Sequence, residues 1–269
     1  MTRAGILYHP QNERATILAG RLQDELAGRG VASWRSSAWD DTAARPQVPG
    51  SDLVFSVGGD GTILHAARII GPLAVPIVGV NVGKLGFICE VSADDVLDRL
   101  PELLGQDSWV EERAMLCART GDSEFTALND VAIRNTAVRV LNVEASVDGE
   151  YLTTYRADGL VVATATGSTG YALAAGGPVL HPQSADLVLQ PISAHLCLNH
   201  AIVLPRKAVV KLVVKGRDRA ILSVDGQLES PFEGGQSVTV SVSPHTACFV
   251  RTRQDTYFYA TVSNKLKGS

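Results

Sequence analysis

Phe55-Ser56-Val57-Gly58-Gly59-Asp60-Gly61-Thr62-Ile63-Leu64-His65 is the stretch whose reading decides the fold. The apolar run from Asp52 to Val57 has the character of a strand buried inside a parallel sheet. The residues after it predict a helix opening at Thr62 and running on through Ala66-Ala67-Arg68-Ile69. Three glycines between strand and helix allow φ > 0 and let a phosphate approach the main chain without meeting a Cβ. The N–H groups at a helix opening supply donors and the positive end of a dipole to an anion. Asp60 fits that picture only if a cation lies between it and the phosphate, or if it has a proton to remove, both ordinary duties in phosphoryl transfer. An acidic turn capping a helix accounts for the residue equally well; the double glycine before it favours chemistry.

Other glycine motifs fail. The dinucleotide fingerprint needs a glycine where Leu64 stands, and Gly79 to Leu85 has neither the P-loop spacing nor its metal-binding hydroxyl. A standard Rossmann dehydrogenase and a Walker-type NTPase are both set aside.

Working outward, Arg3 to Tyr8 reads as a strand, Asn12 to Gly30 as an amphipathic helix, Val31 to Arg35 as a second strand and Ala43 to Gly50 as a loop. Val75 to Asn81 is another buried strand. It empties into Val82-Gly83-Lys84-Leu85-Gly86-Phe87, a second glycine-rich loop at a strand's carboxyl end, where open α/β sheets bind ligands. Ala93 to Leu104 is expected to be a helix, and Gly105 to Ser108 a boundary. From Trp109 to about Val250 the pattern changes to short alternating strands broken by Asp148-Gly149, Asp158-Gly159 and Asp225-Gly226, each expected as a hairpin-type turn. The expected fold class is therefore an N-terminal Rossmann-like α/β domain followed by a β-rich, layered-sheet domain.

Of the 269 residues, 24 are Lys or Arg and 28 Asp or Glu, a net charge of −4 with no basic block. That argues against a nucleic-acid face or a polybasic membrane patch, and no segment approaches a membrane-spanning length. Cys89, Cys117, Cys197 and Cys248 are scattered and form no C-x-x-C, so a reducing cytoplasm is the expected location. The six histidines show no zinc spacing; His65, one turn into the helix behind Asp60, is the one placed to meet a ligand.

In the second half, Asn129-Asp130 puts an amide and a carboxylate at the start of a strand. The amide can donate and accept along an adenine edge, and the acid can accept from ribose hydroxyls; a polar turn explains the pair as simply. Thr164 to Tyr171 (Thr-Ala-Thr-Gly-Ser-Thr-Gly-Tyr) is denser in hydroxyls than a tight turn needs. It is expected to offer hydroxyls and N–H groups to phosphates, with Tyr171 covering a ring. It is not a nucleophile elbow, because Gly167 abuts Ser168. Asp225 reads first as a hairpin turn, with Gln227 beside it as a possible contact.

Taken together these stretches resemble the NAD kinase family. Gly58-Gly59-Asp60-Gly61-Thr62 is shared with diacylglycerol and sphingosine kinases and phosphofructokinases. Asn81 to Phe87 is similar to N-x-G-x-L-G-F, Asn129-Asp130 to an Asn-Glu pair, and Asp158-Gly159 with Thr166 to Tyr171 to D-G…T-G-S-T-A-Y. With Asp225-Gly226-Gln227 and Asn264-Lys265-Leu266 the resemblance covers nearly the whole chain.

The resemblance implies an α/β domain over 1–105, a β-rich NAD-binding domain over 106–250, and a tail, 251–269, returning to the first. It implies a homodimer or homotetramer, and transfer of phosphate from ATP or another donor to NAD with a divalent metal, Mg2+, carried on the ATP phosphates. Position by position, Asp60 would be the base for the ribose 2′-hydroxyl and Gly61 would lie against phosphate, with His65 close behind as a further NAD contact. Phe87, Thr169, Gly170 and Tyr171 would enclose the adenine end, next to Ala174. Asn129 would read adenine and Asp130 the ribose; Asp158 would hold the nicotinamide amide near Arg156, with Arg139 and Gln227 in outer contact. Asp130 stands where the family has Glu, Gly170 where it has Ala and Ala174 where it has Ser. A lipid kinase and a non-catalytic NAD(P)-binding regulator are the alternatives, the first on the shared glycine loop, the second on those substitutions.

Overall fold

The computed structural model describes residues 1–83, 86–105, 107–135, 140–195, 198–254 and 257–266. The chain divides into two compact units, Met1–Glu112 with Thr246–Ser269, and Arg113–His245.

In the first unit, β1 (Arg3–Tyr8), α1 (Glu13–Gly28), β2 (Ala32–Ser37), α2 (Asp41–Ala44), β3 (Leu53–Gly58), α3 (Asp60–Ile70), β4 (Ile77–Asn81), β5 (Val91–Ser92) and α4 (Leu100–Leu104) follow in order. The strands pair in parallel as β4-β3-β1-β2, with β5 also parallel to β4. β3 is buried along its whole length, as a strand with covered faces must be. Ile6, Phe55, Val57, Val78 and Val80 share one core with Leu18, Leu22 and Leu26 of α1. Asn12 caps α1 by accepting from Ala15 N.

Because β1 feeds β2 on one side while β3 and β4 build on the other, the order reverses between β1 and β3. Tyr8 pairs with both Ser37 and Val57, and Gly58 with Asn81, so the carboxyl ends of these strands lie level. Ligands bind outside carboxyl ends at such a reversal.

Two expectations change here. The segment 43–50 is not plain loop: α2 and a short 3-10 turn, Arg45–Gln47, occupy it, with Asp40 capping α2 through Ala43 N. The helix expected over 93–104 survives as α4 only, preceded by successive turns. Pro101 in the first turn of α4 suits a helix opening there, since its missing N–H would have had no partner in a helix start.

The second unit takes in most of β6 (Trp109–Thr120), then β7 (Ser123–Ala127), β8 (Asp130–Asn135), β9 (Leu141–Val147), β10 (Glu150–Ala157), β11 (Gly159–Ala163), α5 (Tyr171–Ala174), β12 (Leu187–Ile192), β13 (Ile202–Leu204), β14 (Val210–Val214), β15 (Arg219–Val224), β16 (Leu228–Glu233) and most of β17 (Ser237–Arg251). One antiparallel sheet runs β13-β12-β11-β8-β15-β16; in the other β14 lies between β9 and β17, with β10 beyond β9. Val131, Ile133, Leu160, Val162 and Leu222 of the first share a core with Val143, Ala145, Tyr155, Leu212 and Val240 of the second, the layered arrangement that alternating strands require.

Asp148-Gly149 and Asp225-Gly226 are true hairpin turns, all four residues at positive φ. Asp158-Gly159 is not. It is the step between β10 in one sheet and β11 in the other, and Gly159 is needed because a Cβ there would run into the Ile133 carbonyl. The tail from Thr246 belongs to the first unit, where Phe249 pairs with Ile77 and α6 (Tyr257–Leu266) closes the described chain.

Candidate functional site

Asp60 is the first residue of α3, so the helix opens two residues earlier than the sequence suggests, on Gly59 as cap. The glycines also serve differently from expectation. Gly58, Gly59 and Gly61 stay out of the left-handed region. Gly58 is required by space, since a Cβ would enter the Thr62 side chain, whereas a Cβ on Gly59 or Gly61 would meet no atom. The main chain at Gly59 and Gly61 is therefore the part open to close approach by a phosphate.

The second glycine loop wraps the acid. Phe87 N donates to Asp60 Oδ2 at 2.7 Å, Ile88 N to Oδ1 at 3.2 Å, and the Cys89 thiol to Oδ1 at 3.5 Å. Burial and the Asp60 charge both push the Cys89 thiol up, so it keeps its proton and donates. Gly86 makes the wrap possible: any Cβ there would overlap the Asp60 carboxylate. A carboxylate offers about four lone-pair positions, and these three donors leave the second position of Oδ2. Among the described residues no group of three His, Cys, Asp or Glu side chains could hold a metal ion, and Asp60 alone is no ligand set.

The tail braces this wrap. Arg251, buried, donates to the Ile88 carbonyl at 2.8 Å, to Glu111 at 2.7 Å and to Glu90 at 3.3 Å. Thr252 donates to Glu90 through N–H and hydroxyl. Lys265 sets its ammonium 4.5 Å from the centre of the half-buried Phe87 ring. His65 is buried, its ring 4.2 Å from that of Trp39. Arg68 donates to its Nδ1 at 2.8 Å. Burial first, and the Arg68 charge second, lower its pKa to about 4, so it is neutral at physiological pH.

In the second unit, one carboxylate organises the Asn129-Asp130 pair. Asp225, at φ 54° in its turn, accepts from Leu128 N at 2.9 Å, Asn129 N at 2.7 Å and Asp130 N at 3.1 Å. Sequence reading treated Asp225 as a turn residue alone; its second role needs contacts to residues almost a hundred positions away. Asp130 is buried, and desolvation first, the Asp225 charge second, raise it to about 7. Asn129 Oδ1 is buried and meets no hydrogen-bond donor among the described residues.

Asn129 lies against the hydroxyl-rich segment: a Cβ on Gly167 would strike its main chain, and Gly170 stands beside its amide nitrogen. The hydroxyls themselves are largely spent within the protein. Thr164 donates to Leu128 O, Ser168 to Ala165 O, and Thr169 to Thr166 O, while Arg113 reaches Thr166. Ser168 also accepts from Leu180 N. The expectation that hydroxyl density serves phosphate is thus corrected: buried carbonyls and N–H groups consume it. Thr169 and Gly170 remain half-buried, and Tyr171 and Ala174 are exposed. Arg156 and Asp158 are exposed on either side of Ala157, and Gln227 is half-buried beyond the Asp225 turn. Arg139 lies outside the described residues.

A parallel sheet whose carboxyl-end glycine loop fixes one acid, followed in the chain by an antiparallel domain with an amide beside a carboxylate, suits phosphoryl transfer, and similarity to known proteins places the chain among phosphotransferases. Residues 4–108 match the ATP-NAD kinase N-terminal domain and residues 128–252 the ATP-NAD kinase C-terminal domain. The NAD kinase of Dehalococcoides mccartyi is 40% identical over 99% of this chain and 96% of its own, and that of Chloroflexus aurantiacus 39% identical over 100% of both. An NAD kinase from Archaeoglobus fulgidus, crystallised with ATP, superposes with TM-score 0.81 at 25% identity over 99% of both chains. Yeast NADH kinase, complexed with NADH, shares the fold with TM-score 0.89 at 19% identity, over 100% of this chain and 88% of its own. The chain belongs to the NAD kinase family.

Proposed function

We propose that this phosphotransferase moves the terminal phosphoryl group of ATP to the 2′-hydroxyl of the adenosine ribose of NAD, giving NADP and ADP. The observation that carries the mechanism is the Asp60 carboxylate, held by Phe87 N, Ile88 N and Cys89 with one lone-pair position of Oδ2 left. Oδ2 takes the 2′-hydroxyl proton as that oxygen bonds to the γ-phosphorus and the bond from γ-phosphorus to the bridging oxygen breaks. The Gly61 main chain and the opening of α3 face the phosphates.

Asn129 Oδ1 accepts from the adenine amino group, and Asp130 holds the ribose, reaching one methylene less far than glutamate. Thr169, Gly170 and Tyr171 cover the adenine with Phe87, and Ala174 leaves room beside them. Asp158 receives the nicotinamide amide, Arg156, Arg139 and Gln227 lying further out. A divalent cation, Mg2+, would be carried on the ATP phosphates and would offset part of their charge. The assembly is a homodimer or homotetramer. The buried free thiols Cys89, Cys117 and Cys248 suit a reducing cytoplasm, and among the described residues no helix is long and apolar enough to cross a membrane.

Asp60→Asn tests the reading. Turnover should fall by roughly 10²- to 10⁴-fold in a coupled NADP assay with ATP and magnesium, while NAD binding by calorimetry stays within about threefold, since the ribose and base contacts lie elsewhere. Normal turnover in the variant removes Asp60 as base. NAD binding without product from the unaltered protein turns the reading to a non-catalytic regulator.

A further inference from the structure

Three rings converge where the strand order reverses. His9 follows β1, Trp39 follows β2, and His65 lies on α3 behind β3. The centres of His9 and Trp39 are 4.4 Å apart, and those of Trp39 and His65 4.2 Å. Main-chain bonds set the spacing: His9 N donates to Val57 O at 3.0 Å, and Ala38 N to Tyr8 O at 2.9 Å. Further hydrogen bonds then fix the two histidine rings and the main chain of Trp39. Gln11 N donates to His9 Nδ1, Trp39 N to Ser37 Oγ, and Arg68 ties His65 to Asp41 just after Trp39. Despite this fixation Trp39 remains 45% exposed.

Such effort spent on holding a half-exposed indole is not what core packing needs, since a core ring is covered. The stack also adjoins the reacting end of the site. His9 is bonded to Val57, three residues before Asp60, and His65 sits five residues beyond Asp60, about 7.5 Å along the helix axis. A fixed aromatic surface whose His65 ring is uncharged does not attract phosphate. It attracts a flat, neutral heteroaromatic ring, by offset stacking.

We propose that the His9–Trp39–His65 stack seats the base of the phosphoryl donor, so that a nucleoside triphosphate lies with its base on Trp39 and its phosphates toward the Gly59–Gly61 main chain. The inference rests on the phosphotransfer reading above and adds to it the residues that seat the donor's base. His65 then serves the donor, and not NAD as the sequence had suggested.

The test uses the full chain with Trp39→Ala and Trp39→Phe. Expected for Trp39→Ala is a rise in KM for ATP of roughly tenfold or more, with KM for NAD and the inhibition constant of inorganic tripolyphosphate against ATP within about twofold. Trp39→Phe should restore most of the ATP affinity, which a merely loosened fold would not. An unchanged KM for ATP overturns the proposal, and so does a KM for NAD that rises as much or more. An inhibition constant for tripolyphosphate that moves with KM for ATP also overturns it, because the stack would then act on phosphates. If the unaltered protein forms no NADP, the phosphotransfer reading fails on its own. Calorimetry of ATP against tripolyphosphate, with and without Trp39→Ala, then decides the base site separately.

Discussion

Gly86→Ala is the substitution whose consequence can be worked most directly from the geometry. The new Cβ would overlap Oδ1, Cγ and Oδ2 of Asp60 together. Gly86 is not at positive φ, so alanine brings no backbone strain of its own. The whole effect comes from the collision. The loop cannot simply retreat, because Phe87 N and Ile88 N, one and two residues on, donate to the same carboxylate, and Arg251 pins the Ile88 carbonyl. Either the carboxylate swings away or the loop lifts and both N–H bonds are lost. Hydrogen bonds to a charged group contribute about 1.5–3 kcal/mol each, which bounds the stability loss at roughly 3–6 kcal/mol, and either response moves the carboxylate out of its wrap. A displacement of about 1 Å at the reacting centre costs on the order of 100-fold in rate. The expected result is kcat down about 100-fold or more, KM for NAD and ATP within about threefold, and a melting temperature lowered by a few degrees. A folded Gly86→Ala protein turning over within a factor of about three of the unaltered chain would refute the argument that the loop positions the acid.

Two further outcomes follow from buried charge. Asp130 is raised from 3.8 to about 7 when folded, so the native state holds the proton more tightly than the unfolded chain. The contribution of Asp130 to stability is then fully present below about pH 4, is lost as pH rises through about 7, and levels off above about pH 8, with a total loss of up to a few kcal/mol. Asp130→Asn should flatten the difference between urea midpoints measured at pH 5 and pH 8; an unaltered difference would mean that burial, with the Asp225 charge, does not raise Asp130. Arg251→Met removes the buried guanidinium that Glu90 and Glu111 share and should destabilise by about 3–5 kcal/mol. Thermal melts check this, and a loss below about 1 kcal/mol would mean the pair relaxes into solvent.

The strands, the long first helix and the change from α/β to β-rich are legible because their signals are local: buried runs, a 3.6-residue period, Asp-Gly turns. Asp60 was also visible as a carboxylate out of place beside glycines, and Asn129-Asp130 as an amide and a carboxylate opening a strand. Asp225 and Asp158 were not, because an Asp-Gly pair reads the same whether it turns a hairpin, as at Asp225, or crosses between sheets, as at Asp158. The hydroxyls of Thr164, Thr166 and Ser168 misled for a related reason. A hydroxyl's partner, whether ligand or carbonyl, is set by what packs against it.

By itself the sequence determined that one acid stands among glycines after a buried strand, and that an amide–acid pair opens a strand in a separate β-rich half. Those are properties of neighbours along the chain, and local sterics and polarity dictate them. Only the tertiary structure decided what the acid touches. Phe87, Ile88 and Cys89 reach it from across the sheet, Arg251 braces them from the far end of the chain, and His9 and Trp39 meet His65 where the strand order reverses. Pairing register brings those groups together, and register depends on how whole strands bury their faces, which no short window of residues contains.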